Sequence, residues 1–236
     1  MTTDIPIIDS HIHLYPEAEL GTLAWYTPES PLGKQHSVED YKAATGGAAK
    51  GFIFLETDRK HDLETGASTG AGWEHPLAEI DWLKRIVTGT PKDGQGHTEE
   101  DAELCVAYIP WAPIPSGAEV LEKYIAKAQE TAGESWSKVR GFRYLLQDKP
   151  NGTCLTDGFI ESLKLLGRKK LVFDLGIDQH RRGRVQLEEA VEMIDRAHDG
   201  VPEEEKVVFI ISKSPRSPDK NSNACRGIIS LDTRAC

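Results

Sequence analysis

Near-continuous apolar runs of strand length alternate with longer runs of helical period along most of this chain, and that alternation restricts the fold more than any other feature. The strand-like runs are "IPIIDSHIHLY" (5–15), "AAKGFIFLETD" (48–58), "ELCVAYIPWAPI" (103–114), "KVRGFRYLLQ" (138–147), "KKLVFDLGID" (169–178) and "EKVVFIIS" (205–212). Between them lie a short segment from Val38 to Ala44 that Ser37 caps, then helical runs 75–87, 117–129, 157–169 and 186–198. The apolar positions of the helical runs recur every three or four residues: Leu77, Ile80, Leu83, Val87 in one and Leu187, Ala190, Val191, Ile194 in another. Strands covered on both faces by helices read as unbroken apolar text, so the chain is expected to be α/β with a parallel sheet and right-handed crossovers. No Gly-x-Gly-x-x-Gly follows the first strand, which disfavours a dinucleotide-binding sheet. Polar residues gather instead at the carboxyl ends of strands, where a (β/α)₈ barrel builds its site.

Only about six strand–helix units are legible, and an eight-stranded barrel usually takes ~250 residues. After Ser212 the text "KSPRSPDKNSNACRGIISLDTRAC" loses period and apolar content. The expectation is an incomplete TIM-type barrel over 1–212 followed by an irregular, disordered tail over 213–236, with "GIIS" as an optional short strand. A shortened version of a longer protein is the reading this suggests.

The first strand carries the strongest chemical signal. In a regular strand Asp9, His11 and His13 share one face and Ile8, Ile12 and Leu14 the other. Two imidazoles two residues apart at a strand end can converge on one ion or substrate atom. Further polar candidates stand at the ends of later strands: Glu56 on the second, Trp111 after the third, Arg143 on the fourth, His180 past the fifth. Glu56 and Trp111 read more simply as an ion-pairing carboxylate and a core aromatic. Arg143 suits either a substrate oxyanion or a structural salt bridge. His61 and His75 flank the Gly-rich "LETGASTGAGW", which reads as a solvated loop or a substrate lid, and His36, His97 and His198 as surface residues.

A formal charge of −10 leaves no basic stripe for nucleic acid or an anionic membrane. There is no leader-like start and no apolar run near ~18 residues. Cys105, Cys154, Cys225 and Cys236 form no Cys-x-x-Cys pair and read as reduced thiols, so a cytoplasmic protein with a small-molecule substrate is expected.

"IIDSHIHLYP", "FIFLETDRKHDL", "GWEHPLAEIDWL", "VRGFRYLLQDKP" and "KKLVFDLGIDQHRRGRVQLEEAVEMIDRAH" together resemble fungal amidohydrolase-related proteins, in the branch with sugar-acid lactonases and pyrone-dicarboxylate lactonase. The resemblance spans roughly residues 5–211. It implies hydrolysis of a lactone or other cyclic ester or amide of a small sugar acid, with a decarboxylase of the same superfamily as the alternative chemistry. It implies that His11, His13 and His180 are catalytic and that Arg143 binds substrate. His11 and His13, with His180 as a further ligand, would hold one divalent metal ion, zinc or manganese; in metal-free members the histidines bind substrate directly. Such relatives continue after the sixth strand with Asn-His-Leu and carry a general-base Asp on the eighth. Here Ser212-Lys213-Ser214 follows, and Asp219 and Asp232 match nothing, so the chain as given is expected to turn over substrate slowly or to be a non-catalytic remnant.

Overall fold

The structure is a computed structural model that describes residues 6–211 and 229–230. The first three strands, β1 (Ile7–Ile12), β2 (Ala49–Leu55) and β3 (Cys105–Ile109), form one parallel sheet in the order β1-β2-β3. The next three, β4 (Gly141–Arg143), β5 (Val172–Leu175) and β6 (Phe209–Ile211), form a second, also parallel. A two-residue β7 (Ile229–Ser230) closes the second sheet antiparallel to β6. It falls on the "GIIS" text, while 212–228 and 231–236, most of the expected tail, lie outside the described residues. The expected single run of parallel strands is therefore divided. Before β4 the ladder shrinks to one bridge, Tyr108 to Val139, and β4 itself has only three residues.

The helices are α1 (Val38–Thr45), α2 (Leu63–Thr69), α3 (Glu74–Val87), α4 (Ala118–Ala132), α5 (Asp157–Arg168), α6 (Gln179–Arg182) and α7 (Arg184–His198). Ser37 and Asp40 close a reciprocal capping box at the start of α1, as the Ser-x-x-acid spacing anticipates. Among the described residues no helix is long and apolar enough to cross a membrane. The chain clusters into two compact units, residues 1–111 with 124–140, and 112–123 with 141–236.

In the first unit, Phe52, Phe54 and Leu55 of β2 and Tyr108 and Ile109 of β3 are buried with Ile80, Trp82, Leu83 and Ile86 of α3. Burying a residue of this size contributes roughly 1.5–3 kcal/mol, which is why α3 is held by its apolar stripe rather than by propensity. In the second unit Phe159, Leu163 and Leu166 of α5 pack with Phe173 of β5, whose ring meets those of Phe159 and Phe209 edge-on.

Two expectations are corrected here. The Gly-rich segment is a packed helix and turn: Asp62 caps α2 by accepting from the Thr65 N–H, and Trp73 beyond it is 2% exposed. The glycines are there for close approach, since a Cβ on Gly66 would stand 2.1 Å from Trp73 Nε1. In α7 the buried stripe is Gln186, Ala190, Met193 and Ala197, whereas Leu187 and Val191 are exposed. Helical period fixed the spacing there but not which of two overlapping stripes faces inward.

Candidate functional site

His11 lies on β1 and His13 just past its carboxyl end. The pairing register places Asp9 opposite Phe52 and Ile12 opposite Phe54, with an irregularity between. Phe52 and Phe54 share a face, so Asp9 falls on the side of Ile12 and the expected common face with the histidines is broken by the bulge. Asp9 Oδ1 instead accepts the His11 backbone N–H at 3.2 Å, and its charge, after burial, helps to push the Tyr41 hydroxyl of α1 up to about 12.

The two imidazoles meet, with Nε2 to Nε2 at 3.1 Å and rings nearly perpendicular at 79°. His13 Nδ1 stands 3.0 Å from the carbonyl oxygens of both Leu55 and Glu56 at the end of β2. A carbonyl only accepts, so Nδ1 carries the proton and the Nε2 lone pair points at His11. Tetrahedral zinc with Zn–N near 2.0–2.1 Å sets two ligand nitrogens roughly 3.3 Å apart, so the pair fits two corners of such a site. Among the described residues no group of three or more His, Cys, Asp or Glu side chains is arranged to hold a metal.

Around this pair the loop after β2 is fixed by buried charges that sequence reading passed over. Arg59, 1% exposed, reaches Thr57 Oγ1 at 3.0 Å and Glu79 Oε2 at 3.2 Å through Nε, and Glu19 at 2.8 Å through Nη1. Burial holds the Glu79 carboxyl above the usual carboxylate range, with Arg59 opposing. The signal was present: Glu79 sits on the same three-and-four stripe of α3 as Pro76, Ile80 and Leu83. Glu56 is 2% exposed and folds back to accept the Asp58 N–H at 2.5 Å, where Asp58 adopts a left-handed φ of 56°. Trp111 is 1% exposed, its ring 4.5 Å from that of His61 at a 37° tilt and edge-on to Tyr124 at 5.4 Å. Of the three histidines expected at the surface, only His97 is buried, while His36 and His198 are half-buried. His97 is 7% exposed, His36 packs edge-on to Tyr15, and His198 Nε2 lies 2.9 Å from the Val207 carbonyl.

In the second unit Arg143 is the last residue of β4 and pairs in register with Asp174 of β5. Arg143 Nε and Asp174 Oδ1 are 3.3 Å apart, and the two residues are 6% and 0% exposed. His180 lies in α6, and its side chain lies outside the described residues. The loop that leads into α6 is clamped by Gln186. Its Oε1 accepts the Asp178 N–H at 2.6 Å and its Nε2 donates to the Leu146 carbonyl at 3.0 Å. Asp178 in turn caps α6 by accepting the Arg181 N–H at 3.2 Å.

The structure thus brings together His11 with His13 in one unit and sets Arg143 on Asp174 in the other. No family model matches the chain. An L-rhamnono-gamma-lactonase of Scheffersomyces stipitis is 34% identical over 195 residues, which are 80% of this chain and 56% of that protein. An amidohydrolase of Burkholderia multivorans, solved with bound zinc, superimposes with a TM-score of 0.55 at 16% identity, over 82% of this chain and 55% of that one. The same protein with bound HEPES gives 0.53 at 16% identity, over 82% and 54%. The chain therefore spans a little over half the length of the relatives it matches, with the TIM-barrel-like α/β fold of the solved ones. On that sequence likeness and that common fold, the chain belongs to the amidohydrolase-related family.

Proposed function

We propose that the protein hydrolyses the lactone of a small sugar acid, and the observation that carries this reading is the facing Nε2 pair of His11 and His13 at a strand's carboxyl end. The lactonase relative supports the substrate class. In the reaction water adds to the lactone carbonyl carbon, the ring C–O bond breaks, and the ring oxygen takes a proton. His13, with its proton fixed on Nδ1, offers an Nε2 that accepts a proton or a cation. His11 beside it doubles the local density of ring nitrogens. A divalent metal ion held by His11 and His13 would supply Lewis-acid polarisation of the carbonyl.

A second reading, a chain that binds lactone without turning it over, draws on Ser212-Lys213-Ser214 standing where the resemblance implies Asn-His-Leu. One experiment separates the two. The purified chain is assayed by pH-stat against a panel of aldonolactones, L-rhamnono-γ-lactone included, with and without added zinc or manganese. Acid release with turnover near the usual enzyme range, roughly 1 to 10³ s⁻¹, supports the hydrolase. Binding without acid release supports the second reading, and neither binding nor turnover rejects both.

A further inference from the structure

We propose that Glu79 is a positioning residue for His13, acting through the one peptide unit that joins Glu56 to Thr57. This rests on the reading of the histidine pair as the reacting centre and deepens it. His13 Nδ1 lies between two carbonyl oxygens, those of Leu55 and Glu56, each at 3.0 Å. The two are held in different ways. The Leu55 carbonyl shares its peptide with the Glu56 N–H, which donates to the Ile109 carbonyl of β3 at 3.0 Å, so the sheet itself aims it. β2 ends at Leu55, and the Glu56 carbonyl lies past that end. Its peptide carries the Thr57 N–H, which donates to Glu79 Oε2 at 3.1 Å. The peptide is trans, so it is planar with its N–H and C=O on opposite sides. The carboxylate that holds the N–H therefore also aims the carbonyl at the imidazole.

Three further contacts keep this arrangement. Glu79 Oε2 also accepts the Thr57 hydroxyl at 2.5 Å and Arg59 Nε at 3.2 Å, so three donors converge on one oxygen of a fully buried side chain. The Thr57 carbonyl accepts the Trp25 Nε1–H at 2.8 Å, which fixes the following peptide as well. Members of a hydrogen-bonded chain polarise one another, so an acceptor drawn to the Thr57 N–H makes the Glu56 carbonyl a better acceptor for Nδ1–H. Two acceptors bracket that proton where one would leave the ring free to tilt. A bracketed ring keeps its proton on Nδ1 and its Nε2 toward His11. Imidazoles at reacting centres are commonly oriented by a carbonyl or a carboxylate on the far ring nitrogen. Here both take part, the carbonyl in contact and the carboxylate one peptide behind it.

The test begins with NMR of the unaltered full chain, its histidines isotope-labelled, at pH 8. The Thr57 amide, which lies in no strand, should exchange with solvent as slowly as that of Glu56. The His13 ring-nitrogen shifts, assigned by comparison with His13→Asn, should show Nδ1 protonated. Fast exchange at Thr57, or a neutral His13 with its proton on Nε2, overturns the proposal with no further variant made. The double variant Glu79→Leu with Arg59→Met then removes the acceptor without leaving either partner as a lone buried charge. Where it melts cooperatively, its His13 shifts should move toward a mixture of the two tautomers. Its kcat on aldonolactones should fall about 10- to 100-fold with KM changed by less than about twofold. Glu79→Gln keeps an acceptor oxygen at the same reach and should retain the single tautomer and most of kcat. Unchanged His13 shifts in a folded double variant overturn the proposal, since a merely structural Glu79 would lower stability without touching the ring. The NMR needs no substrate, so the two readings fail separately. A ring that responds in a chain that hydrolyses no lactone overturns the lactonase reading alone, while turnover with an indifferent ring overturns this proposal alone.

Discussion

At the scale of single residues, the buried polar groups carry most of what the strand and helix patterns did not reveal. His97 is the clearest example: burial lowers its pKa from the usual histidine value, with the Gln95 carbonyl a weaker opposing influence. Its folded pKa is below its unfolded one. The neutral form therefore stabilises the fold above the unfolded value of about 6.5, and that contribution is lost as pH falls through the folded value. Melting temperature measured from pH 7.5 down to 5 should fall less steeply in His97→Gln than in the unaltered chain. Parallel curves would show that His97 does not titrate against folding. The Arg59–Glu79 contact has a different consequence. Replacing Glu79 by Leu leaves a buried guanidinium short of one of its partners and should cost about 3 kcal/mol in urea unfolding. A loss under about 1 kcal/mol would mean that Glu19 and Thr22 suffice for Arg59. A charged residue on an apolar stripe can be seen in sequence; its partner, distant in the chain, cannot.

At the scale of elements, period was legible and face was not always so. The alternation of β1 predicts one polar face for Asp9, His11 and His13, but the irregular register moves Asp9 to the other side, and no residue in "DSHI" announces a bulge. The Gly-rich text after His61 looked like a loop because glycine is a poor helix former, yet Gly66 is required by Trp73. Gly66→Ala should therefore destabilise the chain by about 1–3 kcal/mol through overpacking, despite alanine's better helix propensity, and a gain in stability would restore the lid reading. In α7 the two candidate stripes make opposite forecasts. Val191→Lys, at a position 60% exposed, should change stability by less than about 0.5 kcal/mol, whereas Met193→Ala, at 0% exposure, should cost about 2–5 kcal/mol. Reversed magnitudes would put Val191 inside.

At the scale of the whole chain, the α/β class and the carboxyl-end placement of the polar residues were readable because parallel strands advertise themselves as unbroken apolar text. The division into two sheets was not readable, since three residues of β4 look no different in sequence from the start of a longer strand. The histidine pair was legible as a motif. Its facing Nε2 atoms and fixed tautomer needed the carbonyls of Leu55 and Glu56, more than forty residues on, to become visible. The central claim is that this pair does the chemistry. The most direct test is the rate of L-rhamnono-γ-lactone hydrolysis by the full chain beside His13→Asn, with equal melting temperatures established first. A loss of about 10²- to 10⁴-fold is predicted for the variant, the range of a missing proton-transfer group. Hydrolysis that proceeds unchanged without the His13 imidazole would contradict the account.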